Sequence, residues 1–259
     1  MNAKLLREFK EYTDSYDSAD PKIALKIEHT YKVADIAEEI ARSIQETNEN
    51  DVDFCWLLGL LHDIGRFEQV RRYGTFSDAQ SIDHAELGAD ILFKDGLINR
   101  FWSGSITGMD PEEELKIIEL SIRQHNKLSL PDSLSDKERM FCDILRDSDK
   151  VDIFRVFCEI PLELKKTMLE DGDISPASEE VMQCVREHRC VSRPSIRTAF
   201  EAHISRCAMV FELVYPKSRE LATSQGFLDQ ILSYEPHSEE QKTQMEELRE
   251  SLGKVLLIN

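Results

Sequence analysis

The segment "DFCWLLGLLHDIGRF", residues 53–67, joins an almost unbroken apolar run to a histidine and an aspartate, His62 and Asp63. The apolar run, residues 54–61, predicts a helix that is buried in the core. Burying an unpaired carboxylate and an imidazole costs several kcal/mol. The pair at the end of this helix therefore requires partners elsewhere in the chain. Gly65 follows closely, and we expect it to let the chain bend away from the core.

The composition is typical of a soluble helical protein with a sizeable core. Of its 259 residues, 41% are hydrophobic and 32% are charged, which is the balance of a globular chain. Only ten Gly and eight Pro indicate few turns and so favour helices. No stretch of about 18 apolar residues occurs, and "MNAKLLREFKEY", residues 1–12, lacks an apolar signal-peptide core. We therefore expect no membrane partner and a cytoplasmic location.

The net charge and the cysteines narrow the classes of partner. A formal net charge of −18 disfavours binding to nucleic acid polymers, because that binding depends on phosphate neutralisation by Lys and Arg. A local basic pocket for a small phosphate is compatible with this charge. The six Cys form no CxxC pair and mostly have apolar neighbours. We interpret them as buried, reduced thiols.

Hydrophobic periodicity predicts an all-α fold throughout the chain. Helices are expected near residues 3–15, 22–47, 51–65, 81–95, 111–126, 136–158, 161–170, 176–188, 195–213, 217–233 and 238–254. Residues 66–80 are expected to form a loop or a broken helix, and residues 95–111, with three Gly and a Pro, a long loop. We predict a core domain at residues 1–170 and a C-terminal helical extension packed on it at 171–259.

Several predicted helices carry a histidine or an aspartate on the same face as their apolar residues. Residues three, four or seven apart share a helix face, so His29 extends the apolar stripe of Val33 and Ile36. The full set is His29, His62, Asp63, His84, His125 and Asp149. A single buried histidine is typically bonded to a backbone carbonyl. Five helices that each bury such a residue indicate a shared partner instead.

A divalent metal ion would satisfy all six side chains at once, because neutral imidazoles and carboxylates are metal ligands. Four His and two Asp without a thiolate suit Fe, Mn, Co, Ni or Zn, and suit Mg less well. Six ligands exceed one tetrahedral site and favour two ions over one; two ions about 3.5–4 Å apart would share a bridging carboxylate. Asp63 is the expected bridge, since its neighbour His62 can hold one ion.

The remaining three histidines are interpreted as structural or solvent-exposed residues. His188 and His237 lie among polar residues and are expected on the surface. His203 shares a predicted helix with Phe200 and Cys207 and is expected to be a core histidine with a satisfied hydrogen bond.

The order of the six candidate ligands resembles that of the HD superfamily of metal-dependent phosphohydrolases. The segment "LLGLLHDIGR" is similar to that family's central helix, and "RDSDKVD" looks like its C-terminal aspartate motif. In that motif Asp149 is the expected ligand, with Asp147 and Asp152 as weaker rivals. The resemblance covers residues 22–155 and implies an HD-domain helical bundle with additional C-terminal helices.

His84 and His125 occur in an order similar to that of binuclear relatives. These are the HD-GYP phosphodiesterases, the cyclic-nucleotide phosphodiesterase-like enzymes, and the diiron oxygenases that resemble myo-inositol oxygenase. In mononuclear members such histidines often face the substrate phosphate instead. The GYP tripeptide is absent from this sequence, which argues against a cyclic-di-GMP phosphodiesterase.

The resemblance implies hydrolysis of a phosphomonoester or phosphodiester bond in a small phosphorylated compound or nucleotide by a metal-activated water. A diiron oxygenase and a non-enzymatic nucleotide-sensing module stay open as alternatives.

Asp63 and Arg66 are the expected catalytic residues. The candidate substrate contacts are the cations next to the expected ligands, namely Arg66, Arg71, Arg72, Lys127 and Lys150. The C-terminal helices are expected to cover the site or to form the face of a homodimer.

Overall fold

The computed structural model of this protein describes residues 2–159 and 174–256. These residues form helices, turns and loops and contain no β-strand, which confirms the predicted all-α class. The chain divides into two compact units, Met1–Asp152 and Ile153–Asn259. The predicted helix at 161–170 and the predicted domain boundary after residue 170 lie outside the described residues.

The first unit contains the predicted helices that carry the candidate ligands. Its helices are α1 (Asn2–Thr13), α2 (Pro21–Arg42), α3 (Glu49–Leu61), α4 (Ile64–Tyr73), α5 (His84–Phe93), α6 (Ile98–Phe101), α7 (Pro111–Gln124) and α8 (Asp136–Glu159), and the last residues of α8 belong to the second unit. Residues 66–80 form the broken helix that the sequence left open. Helix α4 ends there at Tyr73 and is capped by Gly74, whose φ of 67° favours glycine, and a short 3-10 turn follows at Asp78–Gln80.

Helix α3 is buried along almost its whole length, as its apolar run predicts. Every residue from Phe54 to Leu61 is buried. The helix begins at a capping box in which Asn48 and Asp51 satisfy each other's backbone N–H groups. An added Cβ at Gly59 would lie 2.6 Å from the Cα of Ala34 on α2, so glycine permits the two backbones to approach closely.

Gly65 has a different role from the one that the sequence suggested. It lies inside α4 rather than at a bend that leads away from the core, and it is buried. An added Cβ there would lie 2.1 Å from the backbone oxygen of His84 and 2.6 Å from the backbone nitrogen of Gly88. The missing side chain therefore allows α4 and α5 to pack backbone against backbone, which sets the position of His84.

The second unit is a set of helices around an apolar core. They are α9 (Glu179–Arg186), α10 (Ala199–Ala208), α11 (Pro216–Ser224), α12 (Phe227–Leu232) and α13 (Glu239–Leu256). The helix predicted at 217–233 is interrupted by Gly226, whose φ is 77°. Residues buried in this unit include Val181, Val185, Phe200, Ile204, Met245 and Leu248.

The burial predicted for the three remaining histidines is confirmed by the structure. His188 and His237 are exposed, and His203 is buried on α10. All six cysteines are free; four are buried and two are half-buried. Among the described helices, none combines the length and the apolar character that crossing a membrane requires.

Candidate metal centre

The first group of donors comes from α2, the α3–α4 junction and α8. The Nε2 atom of His29 lies 3.3 Å from the Nε2 atom of His62. The same His29 nitrogen lies 3.1 Å from Oδ1 of Asp149. Each of these three side chains offers one donor atom, and the three atoms lie close enough together to bind one metal ion.

The second group comes from the α3–α4 junction, α5 and the end of α7. The Nε2 atoms of His84 and His125 are 3.0 Å apart. Oδ1 of Asp63 lies 3.5 Å from the Nε2 atom of His84 and 3.8 Å from that of His125. The three donor atoms of this group likewise lie close enough together to bind one ion.

Asp63 faces both groups, with one carboxylate oxygen toward each. Its Oδ1 atom faces the second group, whereas its Oδ2 atom lies 3.4 Å from Nε2 of His62 and 3.6 Å from Nε2 of His29. Its side chain is 2% exposed. This is the arrangement of a carboxylate that bridges two metal ions.

The outer nitrogen of each histidine is bonded to an acceptor. Nδ1 of His62 donates to the backbone oxygen of Gly59, and Nδ1 of His125 donates to that of Ile122, both at 2.7 Å. A carbonyl only accepts, so the proton of each neutral ring is on Nδ1 and the lone pair is on Nε2. His29 and His84 have the same arrangement through carboxylates, Asp152 at 2.7 Å and Asp78 at 2.9 Å.

Four imidazole lone pairs therefore point at each other and at carboxylate oxygens inside a buried space. Such a set of acceptors is unfavourable without a cation, and it fits a pair of divalent ions held by nitrogen and oxygen ligands. The bonds on the Nδ1 atoms are the outer contacts that fix the tautomer of metal-binding histidines. Six donors drawn from both groups match the residues that the sequence analysis proposed as ligands.

Helix ends explain why the sequence folds into this arrangement. His62 directly follows α3, and His125 directly follows α7. The last carbonyls of a helix have no partner within the helix, and each of these rings bonds the carbonyl three residues earlier. The ring is thereby held with its other nitrogen pointing away from its own helix, toward the centre.

The charges in the centre shift the pKa values in opposite directions. Burial lowers the pKa of His125 to about 3, and its histidine neighbours act in the same direction. Burial also opposes the charged form of His62, but the charges of Asp63 and Asp149 outweigh it and raise its pKa. Burial disfavours ionised Asp63, yet Lys26 and His62 hold its pKa well below the usual range.

Arg66 is the candidate substrate contact that lies beside the centre. Its Nη1 atom donates to the backbone oxygen of Phe76, to Gln69 and to Asp78, at 2.7, 2.8 and 3.0 Å. Its Nε atom is buried, has no hydrogen-bond partner and lies 3.5 Å from Oδ1 of Asp63. The guanidinium is thus held on one side and offers a donor on the side of the centre.

The other candidate cations have different surroundings. Arg71 and Arg72 are exposed, and both form ion pairs with the buried carboxylate of Glu68. Lys127 pairs with Asp83 at 2.6 Å and is one-third exposed. Lys150 is on α8, is buried and takes part in an interaction of its own.

Three residues of the site were missed or assigned another role from the sequence. Lys26 lies 2.5 Å from Oδ2 of Asp63, and its position three residues before His29 on the same helix face was the signal that could have found it. Asp152, considered as a rival ligand, instead bonds the outer nitrogen of His29. Asp78 holds His84 from the turn after α4, six residues earlier in the chain, and no helix spacing indicates this role.

The comparison with protein families agrees with this site. Residues 27–193 match the HD domain family, which is more than half of the 259 residues. The chain belongs to the HD domain family, and this confirms the resemblance to the HD superfamily of metal-dependent phosphohydrolases. Comparisons with curated proteins and with solved structures gave no match.

Proposed function

We propose that this protein is a metal-dependent phosphohydrolase that cleaves a phosphomonoester or phosphodiester bond in a small phosphorylated compound or nucleotide. The observation that carries the proposal is the position of Asp63 between two groups of donors, with one oxygen facing each. Membership of the HD domain family supports the same reaction class.

The chain's own residues would hold two ions in two groups. His29, His62 and Asp149 would hold one, His84 and His125 the other, and Asp63 would bind both. Fe, Mn, Co, Ni and Zn suit these ligands better than Mg. When bound, such ions lower the pKa of a coordinated water and neutralise charge on phosphoryl oxygens.

Arg66 is the proposed contact to a phosphoryl oxygen. Its unpartnered Nε atom faces the centre while its Nη1 atom is held by three acceptors. A guanidinium that is already oriented loses little freedom when it binds an anion. Arg71 and Arg72 form ion pairs with Glu68, which favours Arg66 over both of them as the phosphoryl contact. We rank Lys127 and Lys150 below Arg66 for the same role.

We propose that substrate reaches the site on the side of Asp149. This carboxylate is the most exposed of the six proposed ligands, with 15% of its side chain exposed, whereas the four imidazoles are between 0% and 3% exposed. A substrate would therefore approach from the Asp149 side.

We also propose a cytoplasmic location, which agrees with the free cysteines.

A diiron oxygenase is the second candidate, because four histidines and two aspartates with a bridging carboxylate would serve that chemistry equally well. One experiment separates the two. The protein is loaded with Mn²⁺ or with Fe²⁺, and a panel of nucleotides and phosphomonoesters is assayed for phosphate release with and without oxygen. We expect phosphate release that is independent of oxygen. Turnover that requires oxygen and releases no phosphate would refute the hydrolase.

A further inference from the structure

Lys26 is a cation at the proposed metal centre that has little contact with solvent. It lies on α2, one turn before His29, and only 12% of its side chain is exposed. Its Nζ atom lies 2.5 Å from Oδ2 of Asp63. A lysine at this depth loses most of its hydration, so its position reflects a specific partner rather than a solvated surface charge.

The oxygen that Lys26 bonds is also the oxygen that faces the first group of donors. Oδ2 of Asp63 lies 3.4 and 3.6 Å from the Nε2 atoms of His62 and His29. When a carboxylate oxygen binds a metal ion, less of its negative charge remains to attract an ammonium group. The bond between Lys26 and Asp63 is then weaker, and Nζ can bond another anionic oxygen nearby.

Lys26 and Arg66 approach Asp63 from two sides and share an aromatic neighbour. Lys26 bonds Oδ2, and Nε of Arg66 lies 3.5 Å from Oδ1. The Phe76 ring centroid is 5.6 Å from Nζ of Lys26 and 5.7 Å from the guanidinium carbon of Arg66. Both cations therefore contact the same aromatic ring and the same carboxylate.

We propose that Lys26 and Arg66 form an anion subsite at the metal centre, and that Lys26 positions the substrate by bonding a phosphoryl oxygen when Asp63 serves as a ligand. This inference rests on the proposed function and narrows it to phosphomonoesters. A terminal phosphate has a charge of about −1.5 to −2 and three free oxygens. A diester has one charge and two free oxygens, and so gains less from a second cation.

Lys26→Met tests the proposal, because it removes the charge and keeps much of the side-chain volume. The matched control is Lys32→Met, an exposed lysine on the same helix. The first measurement is Mn²⁺ binding by calorimetry, and the second is the binding of inorganic phosphate to the Mn²⁺-loaded protein. We expect Lys26→Met to bind Mn²⁺ at least as tightly as the wild type and to bind phosphate about 10- to 100-fold more weakly.

Lys26→Arg should recover part of the phosphate affinity, and Lys32→Met should behave as the wild type. If Lys26→Met does not fold, Lys26→Gln replaces it, since Gln keeps a donor for Asp63 without the charge. Unchanged phosphate affinity in a variant that binds Mn²⁺ would overturn the subsite. Loss of Mn²⁺ binding would also overturn it, because Lys26 would then serve only to assemble the centre.

The substrate class has its own readout, the kcat/KM for an aryl phosphate monoester and for the matching diester. We expect Lys26→Met to reduce the monoester value about ten-fold more than the diester value. Equal losses would refute the assignment to monoesters. If the wild type binds phosphate through Lys26 but hydrolyses neither ester, the proposed function fails and the anion subsite stands.

Discussion

Two buried histidines, one just after a helix and one within a helix, have opposite surroundings. His62 follows α3 in the first unit, and its Nε2 atom faces the Nε2 atom of His29 at 3.3 Å and a carboxylate oxygen of Asp63 at 3.4 Å. His203 lies on α10 in the second unit, where its Nε2 atom is 4.0 Å from the Cys207 thiol and its ring packs on Tyr234. Burial of a histidine is therefore no sign of a metal site. A metal site is indicated when the lone pairs of several histidines converge on one space.

The pKa values express the same difference between the two histidines. Burial lowers the pKa of His203 to about 4, and the charge of Arg206 adds to this effect. Burial acts on His62 as well, but the carboxylates of Asp63 and Asp149 outweigh it and raise its pKa. His62 thus lies next to two carboxylates, whereas His203 lies next to a cation.

The largest expected effect comes from Asp63→Asn. The amide keeps the volume of the side chain but removes the charge that both groups of donors share. We expect the loss in metal affinity and in activity to exceed the about 10- to 100-fold loss that is typical of an outer-sphere partner. Calorimetric titration with Mn²⁺ and phosphate release measure the two, while the helical circular dichroism should persist.

Asp51→Asn is the matched control for Asp63→Asn. Asp51 is another buried carboxylate of the same unit, and it serves the capping box of α3. Its change should lower the melting temperature and leave metal binding intact. If Asp63→Asn retained wild-type turnover, the bridging role of Asp63 would be refuted.

His125→Gln and His203→Gln compare the two kinds of histidine directly. Because His125 belongs to the second group of donors, its loss should reduce the bound metal from about two ions per chain to about one. His203→Gln should keep about two ions, since no proposed ligand depends on it. Elemental analysis of the purified variants measures the stoichiometry. Loss of metal from His203→Gln alone would reverse the comparison.

Gly65→Ala and Gly253→Ala compare backbone packing in the two units. The added methyl at Gly65 would collide with the backbone of α5, so we expect a loss of about 1–3 kcal/mol in the free energy of unfolding and weaker metal binding through displacement of His84. At Gly253, on α13, no atom lies within 4 Å of an added Cβ. That change should stabilise by about 0.5–1 kcal/mol. Urea unfolding measures both, and equal effects would contradict the close approach of α4 and α5.

An effect that appears only on acidification is the acid sensitivity that His203 gives to the second unit. Its pKa is about 4 in the folded protein and about 6.5 in the unfolded chain. The unfolded chain therefore binds more protons between these values, and stability is lost as the pH falls from 6.5 toward 4. Between pH 7.5 and 5.5 the wild type should lose about 1.3 kcal/mol more than His203→Gln. Calorimetric unfolding at the two pH values measures this, and parallel losses would show that His203 titrates normally.

Sequence reasoning predicted much of the fold because helix periodicity is a local property. The apolar stripe of α2 identified His29 as a core-facing residue, and the same argument identified His84 and His125. It did not predict the role of Gly65, because the clash that glycine avoids is with residues 84 and 88 on another helix. It also did not predict Asp78, whose bond to His84 depends on the path of the turn after α4.

The sequence by itself determined that this chain is helical and that four histidines and two aspartates are on faces that enter the core. Only the tertiary structure decided which oxygen of Asp63 faces which group of donors, and that Lys26 reaches Asp63 across 37 positions of sequence. The physical reason is the range of the interactions. A stripe depends on residues three or four apart in one helix, whereas a shared site depends on how closely separate helices pack.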